Sequence, residues 1–277
     1  MIKLKVKEII VLGLVLLTII FLAVFMGFRG VKNNKYNYVK LEINPKIEFV
    51  TDNKLNVVSV FPLNQEAKQL MCNENFVGLN AEDAAKKFID LCVKTNYIDV
   101  EGEDNAVKLT VVTGLTEKLD VKLFRCVTNY FLENEIKAVV LENETDLKQF
   151  KAAKEFGVCS NKYSLMESVC NLYPDLTLND TKILTEKEMI LKIKTAHQNL
   201  ISKTTNYTDY DVQEKERLIN ENCLKLNNHN KKITKQSRQL FADDYKKFVK
   251  ENLKQYKTDF DGRKNEWKNN KTNLYFA

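Results

Sequence analysis

Residues 38–51 read YVKLEINPKIEFVT, and their alternation decides the fold. Val39, Leu41, Ile43, Ile47 and Phe49 fall on one side; Lys40, Glu42, Asn44, Lys46 and Glu48 fall on the other. A period of two is the signature of a β-strand, so the stretch predicts one long strand. Pro45 sits in its middle. Proline has no N–H to give a ladder, so within a sheet it belongs at an edge, a bulge or a special site.

Working outward, Asp52-Asn53-Lys54 is a turn signal and Val57–Leu63 (VVSVFPL) a second strand, which makes a hairpin with the first. Residues 81–96 carry Ala84, Ala85, Phe88, Ile89, Cys92 and Val93 at helical spacing, with Asn80 as N-cap. Residues 106–113 predict a third strand, 117–133 an amphipathic helix and 136–141 a fourth strand. The expected order is β-β-α-β-α-β: a small α+β sandwich with helices on one face of its sheet. Shorter helices follow at 146–156, 162–172 and 184–196.

The 277 residues carry a net charge of +6, and residues 200–277, with 17 Lys and Arg against 11 Asp and Glu, account for all of it. In that tail Ile219, Leu226, Ile233 and Leu240 lie seven apart. Phe241, Tyr245, Phe248, Val249, Leu253, Tyr256 and Phe260 then form a helical stripe. A helical hairpin broken near 227–230 is expected. Interspersed acids argue against nucleic acid as a partner.

At the other end, residues 9–28 (IIVLGLVLLTIIFLAVFMGF) are uncharged and apolar. Twenty such residues can cross a hydrocarbon core of about 30 Å. The run ends in bulky residues with no small-residue cleavage site, which favours an anchor over a removed signal. The expected organisation is a stub (1–8), a transmembrane helix (Ile9–Phe28), a juxtamembrane linker (29–36), an α+β domain (37–144), a helical subdomain (145–198) and a basic helical tail (199–277).

Conventional chemistry has little support. No Gly-rich phosphate loop, GxSxG or HExxH occurs. The six cysteines are scattered without a CxxC, and His197 and His229 keep no ligand spacing with them. No cofactor or metal is expected. The one chemically special linkage is Asn44-Pro45. The nitrogen of Pro45 is tertiary and cannot attack the asparagine side chain. The alternative is attack by the amide nitrogen of Asn44 on its own backbone carbonyl, which closes a succinimide and frees Pro45 as a new N-terminus. That needs a strained amide or a held attack geometry. Glu42 lies two residues earlier on the same face and is placed to orient the amide or accept a proton. On the residues alone, a bulge at Pro45 with nothing reactive is the plainer reading.

The run from Leu41 to Leu70, LEINPKIEFVTDNKLNVVSVFPLNQEAKQL, resembles the start of the extracytoplasmic juxtamembrane domain of RsgI-type anti-sigma factors, with an N-P strand, a turn and a V-x-S-V-x-x-L-N strand. Residues 153–189, AKEFGVCSNKYSLMESVCNLYPDLTLNDTKILTEKEM, are similar to that family's helical stretch. The resemblance spans roughly residues 36–194. It implies a module akin to SEA domains, in which a strained strand cleaves itself and the halves stay paired in one sheet. The cut would fall at Asn44-Pro45, and loss of the outer fragment would license an intramembrane protease. Glu42 stands where the family often has Asp, and Lys46 where it often has Ser. The family's folded cytoplasmic anti-sigma domain has no counterpart in Met1–Glu8, so direct sigma-factor inhibition is not expected. The resemblance also places the N-terminus in the cytoplasm and the bulk outside the cell membrane. There the C-terminal helices would face an envelope protein or wall polymer. The alternative is a non-cleaving tethered scaffold.

Overall fold

The computed structural model describes residues 36–113, 119–142, 147–204 and 207–274. The expected membrane helix at 9–28 lies outside the described residues; among those described, no helix is long and apolar enough to cross a membrane.

The first expected strand is two. β1 (Asn37–Glu42) and β2 (Lys46–Thr51) pair antiparallel, Val39 opposite Phe49 and Leu41 opposite Ile47, with the chain reversing over residues 43–45. Proline interrupts the ladder here by ending one strand and starting the next. β3 (Val57–Pro62) pairs with β2, and β4 (Asn105–Thr113) with the other side of β1, both antiparallel; β5 (Ala138–Glu142) lies parallel to β4. The sheet order is β3-β2-β1-β4-β5, so β1 is the central strand.

On one face lie Val39, Leu41, Ile47, Phe49, Val107, Leu109 and Val140, beneath α2 (Ala81–Lys94) and α3 (Leu119–Glu133). Asn80 caps α2 as expected, its side chain accepting from the Glu82 N–H at 3.2 Å. Phe88 of α2 and Phe131 of α3 are fully buried, each contributing about 1.5–3 kcal/mol of apolar transfer energy. A one-turn helix that the sequence reading missed, α1 (Gln65–Leu70), adds Ala67 and Leu70 to this core.

The expectation of helices on one face is corrected, because the opposite face is covered as well. α5 (Ser160–Leu172) and α7 (Glu186–Thr204) set Leu165, Met166, Val169, Met189, Ile190 and Ile193 on Tyr38, Val50 and Val112. α4 (Leu147–Glu155) and the short α6 (Leu178–Lys182) connect this second layer. The molecule is α+β with a five-stranded mixed sheet between two helical layers.

The tail forms α8 (Asp209–Lys232) and α9 (Lys235–Leu274), with the break at 233–234 rather than 227–230. Part of their apolar pattern is spent on the sheet domain, while Leu240 stays exposed. Tyr245 joins the main core, and Phe248 and Tyr256 pack on Ala106, Val139 and Leu141. Asn222 of α8 caps the C-terminal end of α2, donating to the carbonyl of Val93 at 2.6 Å.

Candidate functional site at the β1–β2 turn

Asn44 is the apex of the reversal between β1 and β2. The Ile43 N–H donates to the Pro45 carbonyl at 2.9 Å, which leaves Asn44 alone at the tip. Its φ is 124°, far from the left-handed well near +57° that asparagine ordinarily visits. Sparsely populated backbone of this kind costs on the order of 1–3 kcal/mol, and here it lies next to the Asn44-Pro45 linkage. Asn44 is exposed, whereas Pro45 and both flanking strands are buried.

The far side of the turn is held by Asn64, between β3 and α1. Its Oδ1 accepts from Ala67 N–H at 3.1 Å, the N-cap bond of α1, and from Lys46 N–H at 3.1 Å. Its Nδ2 donates to Asn44 Oδ1 at 3.0 Å. The neighbouring Leu63 N–H donates to the Lys46 carbonyl at 2.9 Å. The first residue after Pro45 is thus gripped at both its N–H and its C=O. Asn64 was missed as a site residue; its signal was its place as the closing Asn of the V-x-S-V-x-x-L-N strand.

Glu42 is buried, and its carboxylate lies 3.6 Å from Lys40 Nζ and 4.0 Å from Lys108 Nζ. It belongs to a polar belt across the sheet face beneath α5 and α7. There Tyr38 Oη donates to Glu48 Oε1 at 2.7 Å, and Ser168 of α5 donates to the same oxygen at 2.8 Å. The other oxygen, Glu48 Oε2, lies 3.5 Å from His197 Nε2, and His197 Nδ1 shares a 3.1 Å bond with Ser59. Lys108 donates to Gln149 at 3.1 Å, and Gln149 donates to Glu167 at 2.9 Å. Burial works to raise the pKa of Glu48, but the neighbouring His197 imidazole, with Lys40 and Tyr38, carries it below the ordinary carboxylate range. Burial, reinforced by Glu48, pushes the Tyr38 phenol well up, so it stays a donor.

Two of the three predicted site residues, Asn44 and Pro45, therefore sit together in the turn, while Glu42 is drawn into the belt by lysines. Among the described residues no group of three or more His, Cys, Asp or Glu is arranged to hold a metal ion.

Comparison with known proteins bears on the same region. Residues 36–168 match the family model of the anti-sigma factor RsgI-like central domain. The chain is 26% identical over 166 residues to anti-sigma-I factor RsgI7 of Acetivibrio thermocellus, covering 58% of this chain and 30% of that protein. It is 25% identical over 180 residues to anti-sigma-I factor RsgI5 of the same organism, covering 59% and 37%. The chain spans about a third of the length of the curated relatives it matches. The matched region runs from the start of β1 to Ser168, enclosing the turn, its Asn64 clamp and most of the belt: on these matches, residues 36–168 of this chain are similar to the RsgI-like central domains of RsgI-type anti-sigma factors.

Proposed function

We propose that this chain is a single-pass, membrane-anchored envelope-signalling protein of the RsgI type whose juxtamembrane domain cuts its own backbone between Asn44 and Pro45. The observation that carries the reading is Asn44 itself: a non-glycine residue at φ 124°, alone at the apex of a hairpin, bonded to a proline. The strain lies where relief by scission is available. The strand arrangement supports the SEA-like character proposed for the domain. A cut at the apex would leave β1 as the last element of the membrane-side fragment, clasped between β2 and β4 of the outer one. Ladder bonds on both edges would keep the halves together until a pull or a partner drew them apart, exposing the remnant to an intramembrane protease.

The test is the backbone itself. The full chain, made in membranes and analysed by mass spectrometry and N-terminal sequencing, should yield a fragment beginning at Pro45. Asn44→Ala and Pro45→Ala should each abolish it. A wild-type chain that stays whole at 44–45 overturns the reading.

A tethered scaffold that never cuts is the second reading. It is favoured by the outward side of α8 and α9, where Tyr210, Leu224 and Leu240 are exposed among lysines. Such a face would suit an envelope protein or an anionic wall polymer, and loss of binding at raised salt would distinguish the polymer.

A further inference from the structure

We propose that Asn64 is the positioning residue for scission at Asn44, because its hydrogen bonds fix which arm of the Asn44 carboxamide is presented for attack. The inference rests on the self-cleavage reading above and adds a residue to it.

The argument is one of donors and acceptors. An asparagine side chain has one acceptor arm and one donor arm. Two backbone N–H groups, from Ala67 and Lys46, converge on one arm of Asn64 at 3.1 Å each, so that arm must be its oxygen. Its other arm is then the NH2, which lies 3.0 Å from Asn44. An NH2 must meet an acceptor, so the atom of Asn44 that faces it is Oδ1. The assignment therefore passes from two backbone amides, whose polarity is fixed, through Asn64 to Asn44. The consequence is that Asn44 Nδ2 is the arm directed away from the clamp and available to its own backbone carbonyl. A clamp of opposite polarity would offer the oxygen instead.

The same bond assists the chemistry. A donor on Oδ1 draws electron density from the amide and eases loss of a proton from Nδ2. In the step, Nδ2 bonds to the Asn44 carbonyl carbon and the bond from that carbon to the Pro45 nitrogen breaks. One Nδ2 proton passes to the Pro45 nitrogen, which leaves as a secondary amine. Asn44 ends as a C-terminal succinimide, which one water molecule later opens. Because Asn64 also holds Lys46 N–H, and Leu63 holds Lys46 C=O, the leaving strand cannot recoil during closure.

Asn64→Asp separates this role from a structural one. Asp caps a helix about as well as Asn and retains an acceptor for Ala67 and Lys46, but as a carboxylate it has no donor for Asn44. In the full membrane-anchored chain, the rate of appearance of the Pro45 N-terminus should fall roughly tenfold or more at neutral pH. The urea midpoint of the same domain should stay near wild type. Measured relative to wild type at each pH, the Asn64→Asp rate should recover below about pH 4, where the side chain regains an O–H donor. Asn64→Ser, which also caps but is too short to reach Asn44, should be slow at every pH. A cut wild type with an Asn64→Asp or Asn64→Ser chain that cuts at the same speed overturns this inference and leaves self-cleavage standing. A wild type that never cuts overturns both.

Discussion

Tyr38 of β1 and Ser168 of α5 bring their hydroxyl oxygens within 2.8 Å although 130 residues separate them, because both donate to the same carboxylate, Glu48 of β2. The central strand is thereby tied to the second helical layer as well as to its ladder neighbours. If the chain is cut at residue 44, these are contacts between two fragments. Tyr38→Phe keeps the ring in its packing and removes one donor from a buried carboxylate. A hydrogen bond to a charged group contributes about 1.5–3 kcal/mol, so the urea midpoint should fall by that equivalent. In cut chains the membrane-side fragment should separate sooner, which fragment co-purification over time would measure.

Much of the fold was legible because its periodicities were clean. The helix at 81–96 and the strand at 106–113 appear as α2 and β4 within two residues at each end. The reversal at Asn44 was not legible, for a geometric reason. Folding a strand back about position 44 sends 43 to 45, 41 to 47 and 39 to 49, so odd positions stay opposite odd positions. The alternation of a hairpin with a one-residue apex is identical to that of an uninterrupted strand. Only the length, 14 residues against the usual 3–10, was a hint. The second helical layer was hidden for a different reason. Lys40, Glu42, Lys46 and Glu48 carry charge, and alternation alone cannot show that Gln149, Ser168 and His197 arrive from distant helices to receive such a face. Of the site, Asn44 and Pro45 were readable from their chemistry. Asn64 was not, because its partners come together only when β3 turns into α1.

The basic tail is bound into the domain at particular residues. Tyr245 is buried in the main core and donates to the Ala138 carbonyl of β5 at 2.6 Å. Tyr245→Ala should cost about 3–5 kcal/mol, the usual range for deleting a buried aromatic ring. The loss should appear as a lower urea midpoint for the sheet itself, not as selective fraying of α9. A midpoint change seen only by a probe placed on α9 would contradict the packing argued here.

Asn222 makes a narrower prediction. Its Nδ2 donates to the carbonyls of Val93 and Lys94 at the end of α2, at 2.6 and 3.2 Å, adding to the 3.1 Å bond that the Val93 carbonyl accepts from the Asn96 N–H. Asn222→Ala removes that donor, at a cost of about 0.5–1.5 kcal/mol. Hydrogen exchange should speed up in the last turn of α2 and in the middle of α8 together, since one side chain links them.

Acid should loosen the assembly through Glu48. Its pKa is lowered in the folded protein: burial opposes the shift, but the neighbouring His197, the charge of Lys40 and the donor of Tyr38 exceed it. A carboxylate whose folded value lies below its unfolded value contributes stability that is fully present above the unfolded value, about 4.3 for Glu, and is lost as pH falls through the folded one. Asp211 and Glu74, which anchor α8 to α1 and its following turn, are lowered too: burial again opposes, while Thr208 and Lys68 act on Asp211 and Lys215 and Lys87 on Glu74. All three push in one direction, so the urea midpoint should decline as pH drops below about 4.3. Glu48→Gln removes one titrating group and should be less stable at neutral pH, where the carboxylate is the better acceptor. Its stability should also fall less steeply with acid than wild type. Parallel wild-type and Glu48→Gln profiles across that window would mean that the belt beneath α5 and α7 does not carry the acid response.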